Sequence, residues 1–308
     1  MDNYLLTIIG SYVDTYYEVK QYPEEGDFTH TTFIGTSAGG APFNVGAVAA
    51  SKGVNVKTLD MLGKQDDTTK FILDECKRLK INADNIQIKD NVTNGKIIIF
   101  NSNKNRTMFL VDPTRPTYVV DEKMQELLNN ATYIYTLQHV INRSFDSIEP
   151  LLEAKRKGTK ILIDGSSKYD DPDKVKQLYQ LVDGLFINET NYERLKCASE
   201  FDPIEKIISN DGFVCITNGS VGATLYTKKE TIFEPALKVN VVDTTGAGDG
   251  FAGGFISCLL KGFDYAAALK IATINGTYAC TIQGGLGGVC SIDELERFSK
   301  ENGYGSIW

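Results

Sequence analysis

The stretch "VNVVDTTGAGDGFAGGF" (residues 239–255) decides the fold class. Its valines predict a strand, "TTGAGDG" predicts a tight turn, and the apolar, glycine-rich remainder predicts a helix. A turn that opens into a helix exposes unpaired backbone N–H groups, and the helix dipole favours an anion there. We predict that Gly246, Ala247 and Gly248 form an anion hole, because they are small enough for a phosphate to reach the backbone. Asp249 stands beside them, positioned to accept a proton from an attacking hydroxyl.

The same residues have two other interpretations. Gly248, Gly250 and Gly253 match G-x-G-x-x-G, the dinucleotide-binding pattern. The match lies too near the C-terminus to begin a βαβ unit, and no strand-ending acid follows about twenty residues on. Alternatively, Asp249 is an ordinary helix-start carboxylate and the glycines serve only tight packing. The sequence contains no GxxxxGK[ST], which excludes a P-loop enzyme.

Composition limits the function classes. The chain has 308 residues, 42% of them apolar, and a net charge of −8, which argues against nucleic acid or an anionic membrane as a partner. It has no 18-residue apolar run, and its N-terminus has no basic region typical of a signal peptide. The six cysteines form no CxxC pair. We therefore expect reduced thiols and a cytoplasmic location.

Strand and helix patterns alternate from about residue 120 onward, which predicts a mostly parallel sheet flanked by helices on both faces. The expected fold class is α/β, in a single domain over residues 1–308. Two stretches, about 11–35 and 93–118, instead read as strands that no helix follows at once. We predict that they form a small antiparallel β-sheet lid beside the main sheet.

A second glycine cluster, "GTSAGGAPFNVGAVAASKG" (residues 35–53), precedes a predicted helix. Gly39 and Gly40 allow a close approach to the backbone, and Asn44 lies one turn into the helix. Glycine N–H groups with one amide suit the hydroxyls of a sugar-like ligand. The alternative is that the glycines serve helix–sheet packing and that Asn44 is a local cap.

The pair "VVDTTGAGDGFAGGF" and "GGAPFNVGAVAASKGVNVKTLDMLGKQD" resembles the two signature regions of the ribokinase-like (PfkB-type) carbohydrate kinases. The resemblance covers nearly the whole chain. It implies a doubly wound α/β fold with a lid, Mg²⁺·ATP as phosphoryl donor, and a sugar hydroxyl as acceptor. It also implies that Asp249 is the catalytic base.

Further roles follow from this resemblance, position by position. Asp14 would bind the substrate together with Gly39, Gly40 and Asn44 of the second glycine cluster. Arg106 is a substrate-binding candidate for a different reason: it lies on the predicted lid, from which it could reach the substrate, and the alternative is a solvated hairpin charge. The implied ATP-binding residues are Asn188, Thr217, Gly219, Gly222 and Asn275. Asn188 and Glu189 would belong to a magnesium network, although Asn191 stands where the family usually has Glu. The residues implied for a monovalent cation, potassium, are Asp243, Thr245, Gly284 and Gly288.

The acceptor is less determined than the reaction. "GGAPFNV" resembles the bacterial fructokinase signature, which favours fructose or a related ketose. However, "DGSSKYD", from Asp164, replaces the usual "DPNxR", so that Lys168 would have to substitute for an arginine. Ribose, a sugar acid of the 2-keto-3-deoxygluconate type and a nucleoside remain alternatives, as does a non-catalytic sugar or nucleotide sensor. Exposed lid edges also suggest a homodimer.

Overall fold

The computed structural model describes residues 3–8, 10–64, 67–102, 105–165, 179–199 and 202–307. Most of a helix predicted at 171–182, and Lys168, lie outside these residues. The strands of the larger sheet are β1 (Leu5–Ile8), β4 (Val56–Gly63), β5 (Asn82–Lys89), β8 (Tyr133–Leu137), β9 (Lys160–Asp164), β10 (Gly184–Asn188), β11 (Phe213–Thr217), β12 (Gly222–Thr227) and β13 (Thr231–Pro235). Those of the smaller sheet are β2 (Tyr12–Val19), β3 (Thr31–Gly39), β6 (Gly95–Ser102) and β7 (Asn105–Val111).

Ten helices are present in the described residues. They are α1 (Ala41–Ser51), α2 (Asp67–Arg78), α3 (Glu122–Asn129), α4 (Gln138–Ser144), α5 (Glu149–Arg156), α6 (Glu189–Ala198), α7 (Pro203–Ile208), α8 (Ala247–Leu260), α9 (Tyr265–Ala279) and α10 (Ile292–Glu301). The predicted α/β fold class is confirmed. None of the helices in the described part of the chain combines the length and the apolar character that crossing a membrane requires.

The larger sheet has the order β13-β12-β11-β10-β9-β8-β1-β4-β5 and is parallel except for its β11-β12-β13 end. Its inner strands are apolar on both faces: Leu5 packs into one hydrophobic cluster and the next residue, Leu6, into the other. This alternation follows from the two-residue period of a strand. β1 lies between β8 and β4, so the strand order reverses direction at β1. Ligands of open α/β sheets bind at such a switch point, outside the carboxyl ends of the strands.

Two glycine-rich helices pack together beside this edge of the sheet. A Cβ on Gly253 of α8 would lie 2.6 Å from Cβ of Val48 on α1. Only a glycine therefore lets α8 approach α1 this closely. The contact brings the start of α8 next to the first turn of α1, where the site lies.

The smaller sheet, which we call the lid, has the order β3-β2-β6-β7. β2 pairs antiparallel with β3 and parallel with β6, so the sheet is not wholly antiparallel as predicted. Alternate residues of β2 face the body of the protein. On the other face Tyr17 contacts the rings of Phe33 and Phe100.

Two local predictions have different outcomes. The strand predicted at Val239–Val242 is absent, because β13 ends at Pro235 and the valines run on as irregular backbone. Val241 and Val242 are more than half exposed. The capping box predicted at the start of α10 is confirmed, since Ser291 and Glu294 hydrogen-bond each other's backbone.

Candidate active site

The start of α8 has the geometry of an anion-binding turn. Gly246 caps the helix with φ 75°, in the left-handed region, and a Cβ there would lie 2.2 Å from the carbonyl oxygen of Gly285. The N–H of Ala247 makes a long turn bond, 3.3 Å, to the carbonyl of Thr244. N–H groups in the first helical turn have no partner inside the helix. A Cβ on Gly248 would meet nothing within 4 Å, so the backbone there is open to a ligand.

Asp249 lies in the first turn of α8 and contacts α1. Its Oδ2 accepts a hydrogen bond of 2.7 Å from Nδ2 of Asn44. Burial raises the pKa of the Asp249 carboxyl to about 6, against the lowering effect of the Asn44 hydrogen bond. A carboxyl with a pKa close to neutrality, beside an anion site, suits a general base.

The lid brings Asp14 to the same place. A Cβ on Gly39 would lie 2.2 Å from Oδ2 of Asp14, which explains why a glycine is required there. Gly40 has φ 100° and packs on the carbonyl of Gly10. Burial, opposed by the nearby Tyr16 hydroxyl and reinforced by the charge of Asp249, raises the pKa of Asp14 to about 6. The two carboxyls are therefore close enough to interact electrostatically.

Buried polar atoms without partners mark the space between lid and helix. Oδ1 of Asp14 and Oδ1 of Asn44 are both buried, and neither has a hydrogen-bond partner among the described residues. Such atoms are costly unless a ligand or water satisfies them. The predicted substrate residues Asp14, Gly39, Gly40 and Asn44 are thus brought together beside Asp249, with two free acceptors for hydroxyl groups.

A cavity of about 450 Å³ adjoins the anion-binding turn. Three predicted ATP-binding residues, Thr217, Gly219 and Gly222, line it together with Ala247 and Gly248. Its other lining residues are Ser220, Ala223, Ala236, Leu237, Lys238, Val239, Val241, Thr244, Phe251, Thr273, Gly276, Thr277 and Cys280. The largely apolar walls fit a planar base, and the cavity leads to the anion-binding turn.

The structure places Asn275 outside this cavity. Its side chain is fully buried and its Nδ2 donates to the carbonyl of Gly288 at 3.1 Å. Asn275 was predicted to bind ATP, and it is not among the residues that line the cavity; its side chain ties α9 to the loop that precedes α10.

Asn188 and Glu189 lie at the carboxyl end of β10. Asn188 caps α6 by accepting the N–H of Asn191, and both Asn188 and Glu189 are exposed. On the neighbouring strand, Asp164 is a residue whose role sequence reasoning missed. Burial, reinforced by the charge of Asp249 and opposed by the nearby Tyr135 hydroxyl, raises the pKa of Asp164 to about 8. The signal was available, since an aspartate ending the apolar strand "KILID" falls at the ligand-binding edge.

This edge fits a nucleotide-bound Mg²⁺. Mg²⁺ is usually held by one or two carboxylates with substrate phosphates and water. Within the described residues there is no cluster of three or more His, Cys, Asp or Glu suited to a metal. Asp164, at the end of β9 beside β10, supplies one carboxylate near Asp249. A cation beside Asp164 would favour its ionised form.

Arg106, which was predicted to bind the substrate, is paired with residues of the loop before α8. Its guanidinium donates to Oδ1 of Asp243 at 2.9 Å and also to the hydroxyl of Thr245. The Asp243 carboxylate further accepts N–H groups of Thr245 and Gly284, each at 2.9 Å. Arg106 thus joins the lid to the loop before the anion-binding turn. Of the predicted potassium site, Asp243, Thr245 and Gly284 do come together. The Arg106 guanidinium binds the Asp243 carboxylate, however, and Gly288 packs on Gly250 instead.

Phosphoryl transfer to a hydroxyl requires an anion site and a base side by side, and the first turn of α8 supplies both. The protein is accordingly a phosphotransferase with an alcohol group as acceptor. The profile of the pfkB family carbohydrate kinases matches residues 5–287, and the chain belongs to that family.

Several characterised kinases are similar to this chain over most of its length. The chain is 25% identical to a deoxyribokinase of Salmonella typhi, over 96% of this chain and 99% of the relative. It is also 25% identical to a nucleoside kinase of Methanocaldococcus jannaschii, over 91% of each. The solved ribokinase of Arabidopsis thaliana, complexed with ribose and ATP, superposes with a TM-score of 0.81 at 21% identity, covering 97% of this chain and 99% of that one. The predicted likeness to fructokinases in particular is not supported by these relatives.

Proposed function

We propose that the protein transfers the γ-phosphoryl group of Mg²⁺·ATP to the hydroxymethyl group of a small uncharged sugar, free or within a nucleoside. The observation that carries this is the group of Asp249, Asn44 and Asp14 beside the open turn at Gly248. The relatives include a deoxyribokinase, a nucleoside kinase and ribokinases, which favours a pentose over the fructose that the sequence first suggested.

The proposed mechanism divides the work between the two ends of the cleft. The adenine occupies the cavity lined by Thr217 and Gly222, and the phosphates lie against the first turn of α8. Asn44 holds Oδ2 of Asp249, which leaves Oδ1 to take the proton of the attacking hydroxyl. When bound, Mg²⁺ would neutralise phosphate charge, with Asp164 as its carboxylate. The lid excludes water, which would otherwise compete as acceptor.

The charges around the site support an uncharged acceptor. Arg106 is paired with Asp243, and Arg115 lies against Asp60 at 3.6 Å and donates to the carbonyl of Ser11. Both arginines are therefore engaged with other residues of the protein. Among the described residues, the groups that remain beside the acceptor are carboxylates, amides and hydroxyls, which recognise neutral polyols.

The test is ADP release with Mg²⁺·ATP across D-ribose, 2-deoxy-D-ribose, D-fructose, inosine, 2-keto-3-deoxygluconate and fructose 6-phosphate. We expect the highest kcat/KM with a pentose or the nucleoside, and at least tenfold less with either anionic compound. Fastest turnover of an anionic compound would overturn the proposed substrate class. ATP binding without ADP release in any case would favour a sensor over an enzyme.

For the cation we propose that the Arg106 guanidinium supplies the positive charge that potassium would bring to Asp243. Rates in sodium and potassium buffers should then be equal. If Arg106→Gln is slow in sodium and recovers in potassium, the guanidinium and the ion share one place. Potassium activation of the wild-type protein would contradict this proposal.

We also propose that the lid mediates a homodimer. β7 lies at one edge of the lid sheet, and its residues Met108, Phe109, Leu110 and Val111 are about half exposed. An apolar edge strand tends to pair with another copy. Light scattering should show twice the monomer mass, and Phe109→Lys should reduce it to the monomer; a wild-type monomer at micromolar concentration would refute the proposal.

A further inference from the structure

β2 and β3 together place three side chains of one lid face over the acceptor site. Asp14 and Tyr16 are two residues apart and so lie on the same face. Ser37 of β3 is directly opposite Asp14 in the sheet register. Residues directly opposite in an antiparallel pair share a face and lie in contact range. Tyr16 and Ser37 are therefore immediate neighbours of the carboxylate that is expected to bind the substrate.

The hydroxyls of Tyr16 and Ser37 are buried without partners. Tyr16 is only 8% exposed, and neither its OH nor Oγ of Ser37 has a hydrogen-bond partner in the part of the chain that the structure describes. The two hydroxyls, and the backbone of Gly285, lie beside one another but outside hydrogen-bond geometry. Two polar groups in this state destabilise the lid unless something else binds them.

The Tyr16 hydroxyl also lies close to the catalytic end of the molecule. A Cβ on Gly284 would be 3.6 Å from it, and a Cβ on Gly285 would be 2.9 Å from Nδ2 of Asn44. The carbonyl of Gly285 packs on Gly246, which begins the anion-binding turn. The phenol therefore points into the region enclosed by Asp14, Asn44 and the start of α8.

We propose that Tyr16 and Ser37 are specificity-determining residues that bind oxygen atoms of the acceptor, in addition to Asp14 and Asn44. Asp14 and the Asn44 carbonyl can only accept hydrogen bonds, so they select hydroxyl donors. The hydroxyls of Tyr16 and Ser37 can donate, so they also suit a ring oxygen. The four groups together fit one face of a cyclic, uncharged sugar with several hydroxyls. This inference rests on the proposed function and deepens it.

The experiment uses Tyr16→Phe and Ser37→Ala, with Tyr17→Phe and Thr36→Ala as matched controls on the opposite face. The substrate is whichever compound of the acceptor panel the wild-type protein phosphorylates best. We expect the acceptor KM to rise about tenfold in each site variant, as for one lost hydrogen bond, with the ATP KM unchanged. The control variants should keep the wild-type KM for both substrates.

Thermal denaturation without added ligand gives a second readout that needs no activity. Removing an unpartnered buried hydroxyl should leave the midpoint of Tyr16→Phe and Ser37→Ala unchanged or higher. A lower midpoint in both would show that the hydroxyls serve the fold, and would overturn the inference. An unchanged acceptor KM in Tyr16→Phe and Ser37→Ala, measured while both variants are still catalytically active, would also overturn the inference. If the wild-type protein releases no ADP with any acceptor, the proposed function falls and this inference falls with it.

Discussion

Lowering the pH from 7 to 5 should inactivate the enzyme far more than ordinary carboxyls would allow. Burial raises the pKa of Asp249 and of Asp14 to about 6 each. A raised pKa means that the ionised form is lost as pH falls through 6. Such a carboxyl is about 90% ionised at pH 7 and about 10% at pH 5, so each one required lowers kcat/KM about tenfold. If both must be ionised, the fall is about a hundredfold and the acid limb has a slope near two.

The assay is kcat/KM for the acceptor at saturating Mg²⁺·ATP, from pH 8 to pH 5. Circular dichroism at pH 5, and full recovery of rate on return to pH 7, control for acid unfolding. In Asp14→Asn the remaining acid limb should have a slope near one, on a lower rate. A kcat/KM that stays constant down to pH 5 would refute the reasoning, because carboxyls with the usual aspartate pKa of 3.8 are still mostly ionised at that pH.

Three further predictions concern the anion turn, the lid and the nucleotide cavity. Gly248→Ala should keep the free energy of unfolding within about 1 kcal/mol, because its Cβ meets open space, yet it should lose ATP-dependent turnover. Gly246→Ala should lower the free energy of unfolding by about 1–2 kcal/mol, because Gly246 has a left-handed backbone conformation. Chemical denaturation and ADP release separate the two, and a stable Gly246→Ala would contradict the strain argument. Arg106→Gln should speed amide exchange in β6 and β7 up to about fivefold, as for a partly exposed ion pair; unchanged exchange would show that the pair does not hold the lid. Cys280 lines the cavity proposed for the adenine, so Mg²⁺·ATP should slow its alkylation in a Cys197→Ser background, which removes the exposed thiol. Equal alkylation rates with and without Mg²⁺·ATP would place the nucleotide elsewhere.

The contact between Asp249 and Asn44 in the candidate site could be predicted from sequence because short segments carry both residues. The turn before Asp249 and the glycines before Asn44 each specify their own local geometry. Their meeting follows from helix packing, since Gly253 lets α8 approach α1. The resemblance to a family supplied the order of these segments in space, which no local pattern contains.

Other residues could not be placed from sequence for physical reasons. α9 is apolar nearly all round, so no pattern showed that the Asn275 side chain points away from the cavity. Arg106 pairs with Asp243 across 137 residues, and charge pairs at that separation leave no sequence signal. Val239–Val242 has strand composition but is irregular in the structure, where the N–H of Val242 donates to the carbonyl of Cys280 in the turn after α9.

The measurement that tests the central claim most directly is ADP release by Asp249→Asn alongside Mg²⁺·ATP affinity. The variant keeps the shape of the side chain and one oxygen that can accept from Asn44, but it removes the base. We predict turnover lower by about 10²–10⁴ with ATP affinity unchanged, as expected for loss of positioned acid–base catalysis. Turnover within about threefold of wild type would contradict the account, because Asp249 would then not be the group that takes the hydroxyl proton.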